Sequence, residues 1–316
     1  MWDNIVMSWK EIQYKKITWI DINSPTPKDM QKLGRDFGFH PLSLEDVLYT
    51  QRSKVDAYDG KYYFLILMLP VFDARKNIIT ATDVNMFIGK DFFITIHNNN
   101  IPPIRKMFAD AHKNSAWRKV HMSGQRPTHL VYEYIETMLR YFFPMLETTN
   151  TNLEKLETDI FSGPKINVIH TILEQRRIII DLRKIIKPYE STLSHLHAYD
   201  KTHHILGISK TFEYFDNLLD YVAEAWDSLE EYKESSEMLQ QANDAIISKK
   251  TGHIIQRLTT ISVTFLPIAL IAAVFGMNAE YTPFIGYPFD FWIIISIMLA
   301  IVIATIIFFK IQDWID

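Results

Sequence analysis

The chain has 316 residues, and its 33 lysines and arginines against 37 aspartates and glutamates give a formal net charge of −4 at pH 7. This balance excludes the strongly basic surface that is typical of nucleic-acid-binding proteins. Cysteine is absent, which excludes disulfides, a cysteine nucleophile and cysteine-ligated metal clusters.

The first part of the chain is predicted to form an α/β domain. Residues 16–22 and 61–69 are rich in β-branched and aromatic side chains, which is typical of strands. Residues 84–97 are predicted to form a hairpin with Gly89 and Asp91 in its turn.

Short helices are predicted between these strands, at residues 25–38 and 40–49. Pro27 and Pro41 stand near their starts, where proline is favoured, and Gly38 is expected to end the first helix. Interleaved strands and helices indicate a sheet that is covered by helices.

From Thr128 onward the pattern is helical. A helix over residues 128–161 is predicted to kink at Pro144. A second helix over residues 165–187 is predicted to end at Pro188.

A single long helix is then predicted from residue 209 to residue 275. This stretch contains no proline before Pro267 and no glycine before Gly252, so nothing interrupts its helical pattern. At 1.5 Å per residue the helix would be roughly 100 Å long, which is far more than a bilayer can hold. Its first part is therefore predicted to be a stalk helix that joins a cytosolic domain to a membrane.

Two charge-free runs near the end of the sequence are long enough to cross a membrane. Residues 258–275 and 291–309 contain no charged side chain, and as helices each can span a hydrocarbon core of ~30 Å. The alternative, two buried core helices, does not suit charge-free runs of this length.

Basic residues flank these two runs on one side only. Lys249, Lys250 and Arg257 precede the first run and Lys310 follows the second, whereas the connecting loop has no basic residue. The two runs predict a multi-pass protein of the cell (inner) membrane, and positive-inside bias predicts that both termini lie in the cytoplasm. The predicted organisation is a cytosolic α/β domain (1–125), a cytosolic helical region (126–208), the cytosolic part of the stalk helix (209–257), transmembrane helix 1 (258–277), an extracellular loop (278–290), transmembrane helix 2 (291–310) and a cytosolic tail (311–316).

One face of the first run carries only small and apolar residues. Its members recur at three- and four-residue steps, so they share one side of a helix. They form what we call the 255–273 face: Ile255, Leu258, Ser262, Leu266, Ala269 and Ala273. The pattern alone leaves two interpretations open, because small residues favour tight helix packing in membranes, but the same face would line a pore if several chains assembled.

The residues that follow this run, Gly276, Met277 and Asn278, resemble the GMN motif of the CorA family of magnesium channels. The motif stands between two C-terminal spans, as it does in that family, and residues 40–64 and 91–97 resemble the family's cytosolic domain. The resemblance implies a funnel-shaped homopentamer in the lipid bilayer, with the first span lining a pore for divalent cations. It implies no enzyme activity and no nucleic-acid or nucleotide partner.

The motif residues suit a dication that keeps its water. Mg²⁺ gives up its waters reluctantly, and a ring of Asn278 side-chain carbonyls could hydrogen-bond to those waters without removing them. Gly276 would let the backbone approach closely, and Met277 is expected to pack sideways. Glu280 is either an acid that concentrates cations at the pore mouth or an ordinary solvated loop residue.

Leu258 and Leu266, with Ile255, are expected to form apolar rings that close the pore by dewetting. The resemblance also implies that cytosolic Mg²⁺ closes the channel by bridging acids of neighbouring subunits. Asp216 and Asp220, one helical turn apart on the stalk helix, are the candidate ligands. An acid pair at this spacing is more often a solvated helix face than a regulatory site.

The chain has 11 histidines, and histidine is a common ligand of transition metals. His195 and His197 are two residues apart, and His203 and His204 are adjacent, so neither pair has the i, i+4 spacing of a helical zinc site. Structural or surface roles are therefore expected for the histidines.

Two alternatives to a magnesium channel stay open. One is a transporter of the same architecture that selects Co²⁺, Ni²⁺ or Zn²⁺. A magnesium channel could also pass Co²⁺ or Ni²⁺, because these hydrated ions resemble hydrated Mg²⁺. The other is a membrane-anchored cytosolic scaffold or enzyme whose spans are passive. It predicts that the spans can be exchanged for another anchor without loss of function.

Overall fold

The computed structural model describes residues 9–73, 78–98, 101–162, 168–208, 212–277, 283–286 and 288–312. The chain divides into two compact units, residues 1–240 and residues 241–316. Within the described residues, the strands are β1 (Trp9–Tyr14), β2 (Ile17–Asn23), β3 (Lys54–Tyr58), β4 (Tyr62–Asp73), β5 (Ile78–Gly89) and β6 (Phe92–His97). The helices are α1 (Pro27–Phe37), α2 (Pro41–Tyr49), α3 (Pro102–Lys113), α4 (Ser115–His121), α5 (Thr128–Arg140), α6 (Phe143–Phe161), α7 (Val168–Ile186), α8 (Tyr189–His203), α9 (Phe212–Phe275) and α10 (Asp290–Ile311).

The strands of the N-terminal unit form one mixed sheet in the order β1-β2-β6-β5-β4-β3. β2 and β6 are parallel, and the other neighbours are antiparallel. The predicted hairpin is confirmed as β5 and β6, in which Ile88 pairs with Phe93. Pro70 has no backbone N–H to donate to a neighbouring strand. It lies past the end of β3, where β4 has a neighbour on one side only, so the sheet tolerates this missing donor.

Helices cover both faces of this sheet, which explains why β4 is buried from Tyr62 to Pro70. On one face, α1 and α2 pack on a core that includes Phe64 and Phe87. On the other face, the Trp19 ring packs edge-on against Phe108 of α3 and Tyr134 of α5. The alternation of side chains along each strand decides which helices a given strand residue meets.

The bounds of α1 follow from local signals in the sequence. The side chains and backbones of Thr26 and Asp29 form a reciprocal capping box at its start, next to Pro27. Gly38 ends the helix in the left-handed conformation, with φ of 68°. The predicted helix is confirmed.

The prediction of one kinked helix over 128–161 is wrong. The structure has two helices, α5 and α6, joined at Tyr141 and Phe142, and Pro144 stands in the first turn of α6. Proline lacks the backbone N–H, and a first turn does not need that donor. Pro144 therefore starts a new helix.

Asp200, near the end of α8, is completely buried and closes the loop that follows. Its carboxylate accepts hydrogen bonds from the backbone N–H groups of Leu206 at 2.7 Å and Ile208 at 2.6 Å. The hydroxyl of Tyr63 on β4 donates to the same carboxylate at 3.0 Å. One acid thus ties the end of the helical layer to the sheet.

A second buried polar network connects β2 with β6. The carboxylate of Asp21 accepts from the hydroxyl of Thr95 at 2.7 Å and lies 3.1 Å from Nε2 of His97. The indole N–H of Trp19 donates to Thr95 Oγ1 at 3.1 Å. Burial by itself would lower the pKa of His97, but the hydrogen bond and the charge of Asp21 outweigh it and raise that pKa above its ordinary value.

We expect this network to make the unfolding free energy depend on pH. The folded-state pKa of His97 lies above the unfolded value of about 6.5, so its stabilising contribution is complete below that value and is lost as pH rises through the folded pKa. Urea unfolding midpoints should fall over this window in the wild type. The fall should be smaller in His97→Gln, and an identical pH profile for the two proteins would contradict the assignment.

The predicted fold class is confirmed in its main parts. An α/β region comes first, the long helix α9 follows, and the apolar helix α10 lies near the C-terminus. The apolar segment that ends α9 contains Pro267 without interruption of the helix.

Candidate functional site

α9 and α10 are both long and apolar enough to cross a membrane, judged by length and composition. In each, an 18-residue window is strongly apolar, and none of either window is buried by the rest of the chain. Apolar surface on this scale would be unusual in water, whereas it suits contact with lipid or with other copies of the same helix.

Within the C-terminal unit, each of these helices has one partly covered side. The covered positions recur at three- and four-residue steps, which places them on one stripe of each helix. They include Thr260, Thr264, Pro267, Ile271 and Phe275 on α9, and Ile294, Ile297, Ile301, Thr305 and Phe309 on α10.

The 255–273 face lies on the opposite side of α9. All six of its residues are exposed, and the three large ones expose 58% (Ile255), 63% (Leu258) and 72% (Leu266). At 3.6 residues per turn, the mean direction of this face is about 180° from that of the covered stripe. The face is therefore free to meet something outside the chain.

Ser262 is the one polar residue of the 255–273 face, and its hydroxyl donates to the backbone carbonyl of Leu258 at 2.9 Å. A hydroxyl has one donor and two acceptor lone pairs, so this bond leaves only acceptor capacity. An acceptor suits water molecules on a cation, because such waters point their hydrogens outward.

Helix α9 ends at Phe275, and the motif begins at the next residue, Gly276. The Gly276 N–H donates to the Ala272 carbonyl at 2.9 Å, and the Met277 N–H donates to the Val274 carbonyl at 3.3 Å. A Cβ on Gly276 would lie 3.1 Å from the Ala272 oxygen, a tighter contact than most side chains make. Met277 is 62% exposed, so the described residues leave most of its side chain uncovered.

The other two residues predicted at the pore mouth, Asn278 and Glu280, lie outside the described residues. Their assignment stays a prediction from the motif and its place after α9. The structure describes the chain up to Met277 on one side and from Pro283 on the other.

The candidate regulatory acids Asp216 and Asp220 lie in the first turns of α9. Both are exposed, and neither forms an ion pair with another described residue. Between them, Asn217 points inward and its amide donates to the hydroxyl of Tyr132 on α5 at 2.9 Å. The two acids are thus brought to one surface, and Asn217 is engaged within the subunit.

Polar contacts hold the first part of α9 to α5. Arg140 donates to Glu136 at 2.9 Å and to the hydroxyl of Tyr221 at 2.9 Å. The Tyr221 hydroxyl in turn donates to Glu136 at 3.3 Å. A displacement of α9 here would break several bonds together.

Sequence reasoning missed one cluster, which lies where α4 and α5 approach each other. His121 ends α4, and His129 and Glu133 stand one turn apart at the start of α5. Their ligand atoms all lie within 4.8 Å of one another. The i, i+4 spacing of His129 and Glu133 indicates that they share one face of a helix, but nothing in the sequence places His121 beside them.

Burial changes the protonation equilibria of this cluster. Burial lowers the pKa of His121 and of His129, and the nearby His129 adds to the effect on His121. Burial and then the charge of Glu136 raise the pKa of Glu133. The lowered pKa values favour the neutral imidazoles, and each neutral imidazole has one ring nitrogen whose lone pair can bind a metal ion.

Comparison with known proteins covers nearly the whole chain. The family model described as CorA-like Mg²⁺ transporter protein matches residues 14–310. The cobalt/magnesium transport protein CorA of Thermotoga maritima is 25% identical over 94% of this chain and 83% of the relative. The protein of the same name from Methanocaldococcus jannaschii is 23% identical over 95% of this chain and 92% of the relative.

A solved structure has the same fold. The complete structure of the CorA magnesium transporter from Methanocaldococcus jannaschii aligns with a TM-score of 0.80, at 22% identity, over 97% of this chain and 94% of that one. The chain belongs to the family of CorA-like Mg²⁺ transporter proteins, which are membrane proteins.

Proposed function

We propose that this protein is a homopentameric channel that takes up Mg²⁺ down the membrane potential. Family membership supports transport of Mg²⁺, and the names of two relatives support Co²⁺ as a second cargo. The observation that carries the pore assignment is the position of the 255–273 face, which is exposed and lies opposite the covered stripe of α9. In an assembly, five such faces would surround a common axis.

The mouth of this pore would select a hydrated dication. A ring of Asn278 amides can accept hydrogen bonds from the waters of Mg²⁺ without stripping them. Carboxylates at the same place would bind the ion tightly and slow its release, whereas conduction needs weak binding. Glu280, nearby in the chain, would raise the local concentration of cations.

Below the mouth, the pore would be apolar at two levels. Leu258 and Leu266 are the most exposed large residues of the 255–273 face, so five copies of each would form apolar rings. A narrow apolar ring expels water and so closes the path to a hydrated ion. Ser262, with its acceptor lone pairs, would lie between the rings.

The driving force requires no nucleotide. Each charge gains ~2.3 kcal/mol per 100 mV, so a dication gains roughly 4.6 kcal/mol on moving to an inside that is negative by that amount. The orientation that we propose places both termini inside, with Lys249, Lys250 and Lys310 on the cytoplasmic side of spans 258–277 and 291–310.

Closure by cytosolic Mg²⁺ would use Asp216 and Asp220. Their exposure and lack of a described ion-pair partner support a role between subunits. Without a cation these carboxylates would repel similar groups on a neighbour, and a bound Mg²⁺ would remove that repulsion. The assembly would then be held in its closed form.

Flux into liposomes tests the proposal. Purified protein should admit Mg²⁺ under an inside-negative potential, and raising the internal Mg²⁺ concentration should suppress entry. In Asp216→Asn/Asp220→Asn we expect the suppression to weaken by a factor of about 5 or more, the lower end of typical allosteric coupling.

Glu231→Gln is the matched control for this double variant, since Glu231 is another exposed acid of α9. Suppression in this control should equal that of the wild type. Absence of Mg²⁺ flux in any condition would overturn the channel proposal. Unchanged suppression in the double variant would overturn only the regulatory assignment.

A further inference from the structure

The histidine cluster at the junction of α4 and α5 has no part in the proposed ion path. We propose that His121, His129 and Glu133 form a binding site for one divalent transition-metal ion of the Zn²⁺ or Co²⁺ type. The site lies in the N-terminal unit, and it is independent of the proposed channel function.

The distances between the ligand atoms already approach those of a metal centre. In a tetrahedral zinc site with bonds of about 2.0–2.1 Å, neighbouring ligand atoms are about 3.3 Å apart. Nδ1 of His121 lies 3.5 Å from Oε1 of Glu133, and Nε2 of His129 lies 4.0 Å from the same oxygen. Small side-chain rotations would therefore be enough to complete the geometry.

One ligand atom is buried without a hydrogen bond. Nδ1 of His121 is shielded from solvent and has no hydrogen-bond partner among the described residues. It lies near Glu133 but fails the geometry of a hydrogen bond. A buried polar atom in this state is costly, and a metal ion between the two groups would satisfy it.

The surroundings hold the ligands in place and leave an approach. The ring of His121 lies 4.3 Å from that of Trp117, and the ring of His129 lies 5.6 Å from that of Tyr214 on α9. A pocket of about 160 Å³ opens beside His129. His129 lines this pocket, whereas His121 and Glu133 do not, so the pocket gives an entering ion a path to the His129 ring.

The ligand set distinguishes the class of metal. Two imidazole nitrogens and one carboxylate oxygen are typical of Zn²⁺ and of neighbouring first-row ions. Mg²⁺ prefers oxygen ligands in octahedral geometry. The site would therefore bind Zn²⁺ or Co²⁺ in the presence of the transported magnesium.

The test is a titration of metal-free, full-length protein in detergent with Co²⁺, with Mg²⁺ in large excess to occupy oxygen-rich sites. We expect one equivalent of Co²⁺ per chain with the intense visible absorption of a tetrahedral centre, and displacement of that absorption by Zn²⁺. His129→Ala and Glu133→Gln should each lose the absorption and weaken Zn²⁺ binding at least tenfold.

A matched control is available on α7. His170 and Glu174 are also spaced i, i+4, with Nδ1 of His170 3.3 Å from the carboxylate, but neither belongs to the three-ligand cluster. His170→Ala should therefore bind Co²⁺ as the wild type does. Circular dichroism and the thermal midpoint without metal verify that each variant is folded.

The proposal is overturned if the wild type shows no tetrahedral Co²⁺ absorption. It is also overturned if folded His129→Ala retains the absorption, or if His170→Ala loses it to the same extent. Loss of Mg²⁺ flux has no bearing on these outcomes, so the two proposals fail separately.

Discussion

Asn278→Ala is expected to lower Mg²⁺ influx into liposomes by roughly 10- to 100-fold. The amide would hydrogen-bond to the water of a dication, and a hydrogen bond to a charged partner contributes about 1.5–3 kcal/mol. That range corresponds to the stated factor at 1.4 kcal/mol per tenfold change. Growth of a Mg²⁺-starved transport mutant should be rescued by the wild type and not by this variant.

Asn278→Asp keeps the size of the side chain but replaces the uncharged amide, so it tests which of the two properties conduction requires. A carboxylate has the same shape but adds a charge, so we expect tighter cation binding and slower conduction. Thr264→Ala is the control, because it removes a polar side-chain group from the first span at a position outside the proposed pore. Thr264 lies on the covered stripe, and its hydroxyl donates to the Thr260 carbonyl. Its flux should match the wild type.

Full rescue by Asn278→Ala would contradict the mouth assignment. It would favour a pore that selects ions elsewhere or a protein whose spans serve only as an anchor. Exchange of both spans for an unrelated anchor then separates those two outcomes, since only the second tolerates it. Co²⁺ and Ni²⁺ uptake, measured in the same vesicles, ranks the possible cargoes.

Asp200→Ala is expected to lower the free energy of unfolding of the N-terminal unit by at least about 3 kcal/mol. The substitution removes an acceptor that three buried groups share, namely the hydroxyl of Tyr63 and the N–H groups of Leu206 and Ile208. Each unsatisfied buried donor costs about 1–3 kcal/mol. Urea unfolding followed by circular dichroism measures the change.

Two further substitutions at α8 make this test specific. Asp200→Asn keeps one acceptor oxygen but turns an amide N–H₂ toward a donor, so an intermediate loss is expected. Lys201→Ala removes an exposed side chain from the next position and should change stability by less than about 0.5 kcal/mol. Equal stability of Asp200→Ala and the wild type would show that the network does not stabilise the fold.

The sequence predicted those elements whose signals are local. Pro27 and Gly38, the signals for α1, lie within twelve consecutive residues, and the hairpin of β5 and β6 was predicted from the fourteen residues 84–97. Pro144 shows the limit of such signals. Proline is compatible both with a kink and with the first turn of a new helix, and only the backbone at Tyr141 and Phe142 decides between them.

For the candidate site, the sequence by itself determined the two apolar runs, the 255–273 face and the motif at Gly276, because length, helical period and charge are properties of consecutive residues. Only the tertiary structure decided which stripe of α9 is covered. It also placed Tyr63 against Asp200, 137 residues away in the chain, and His121 against His129 and Glu133 from a different helix. The physical reason is that such contacts depend on how helices pack across the sheet, and no local pattern encodes that packing.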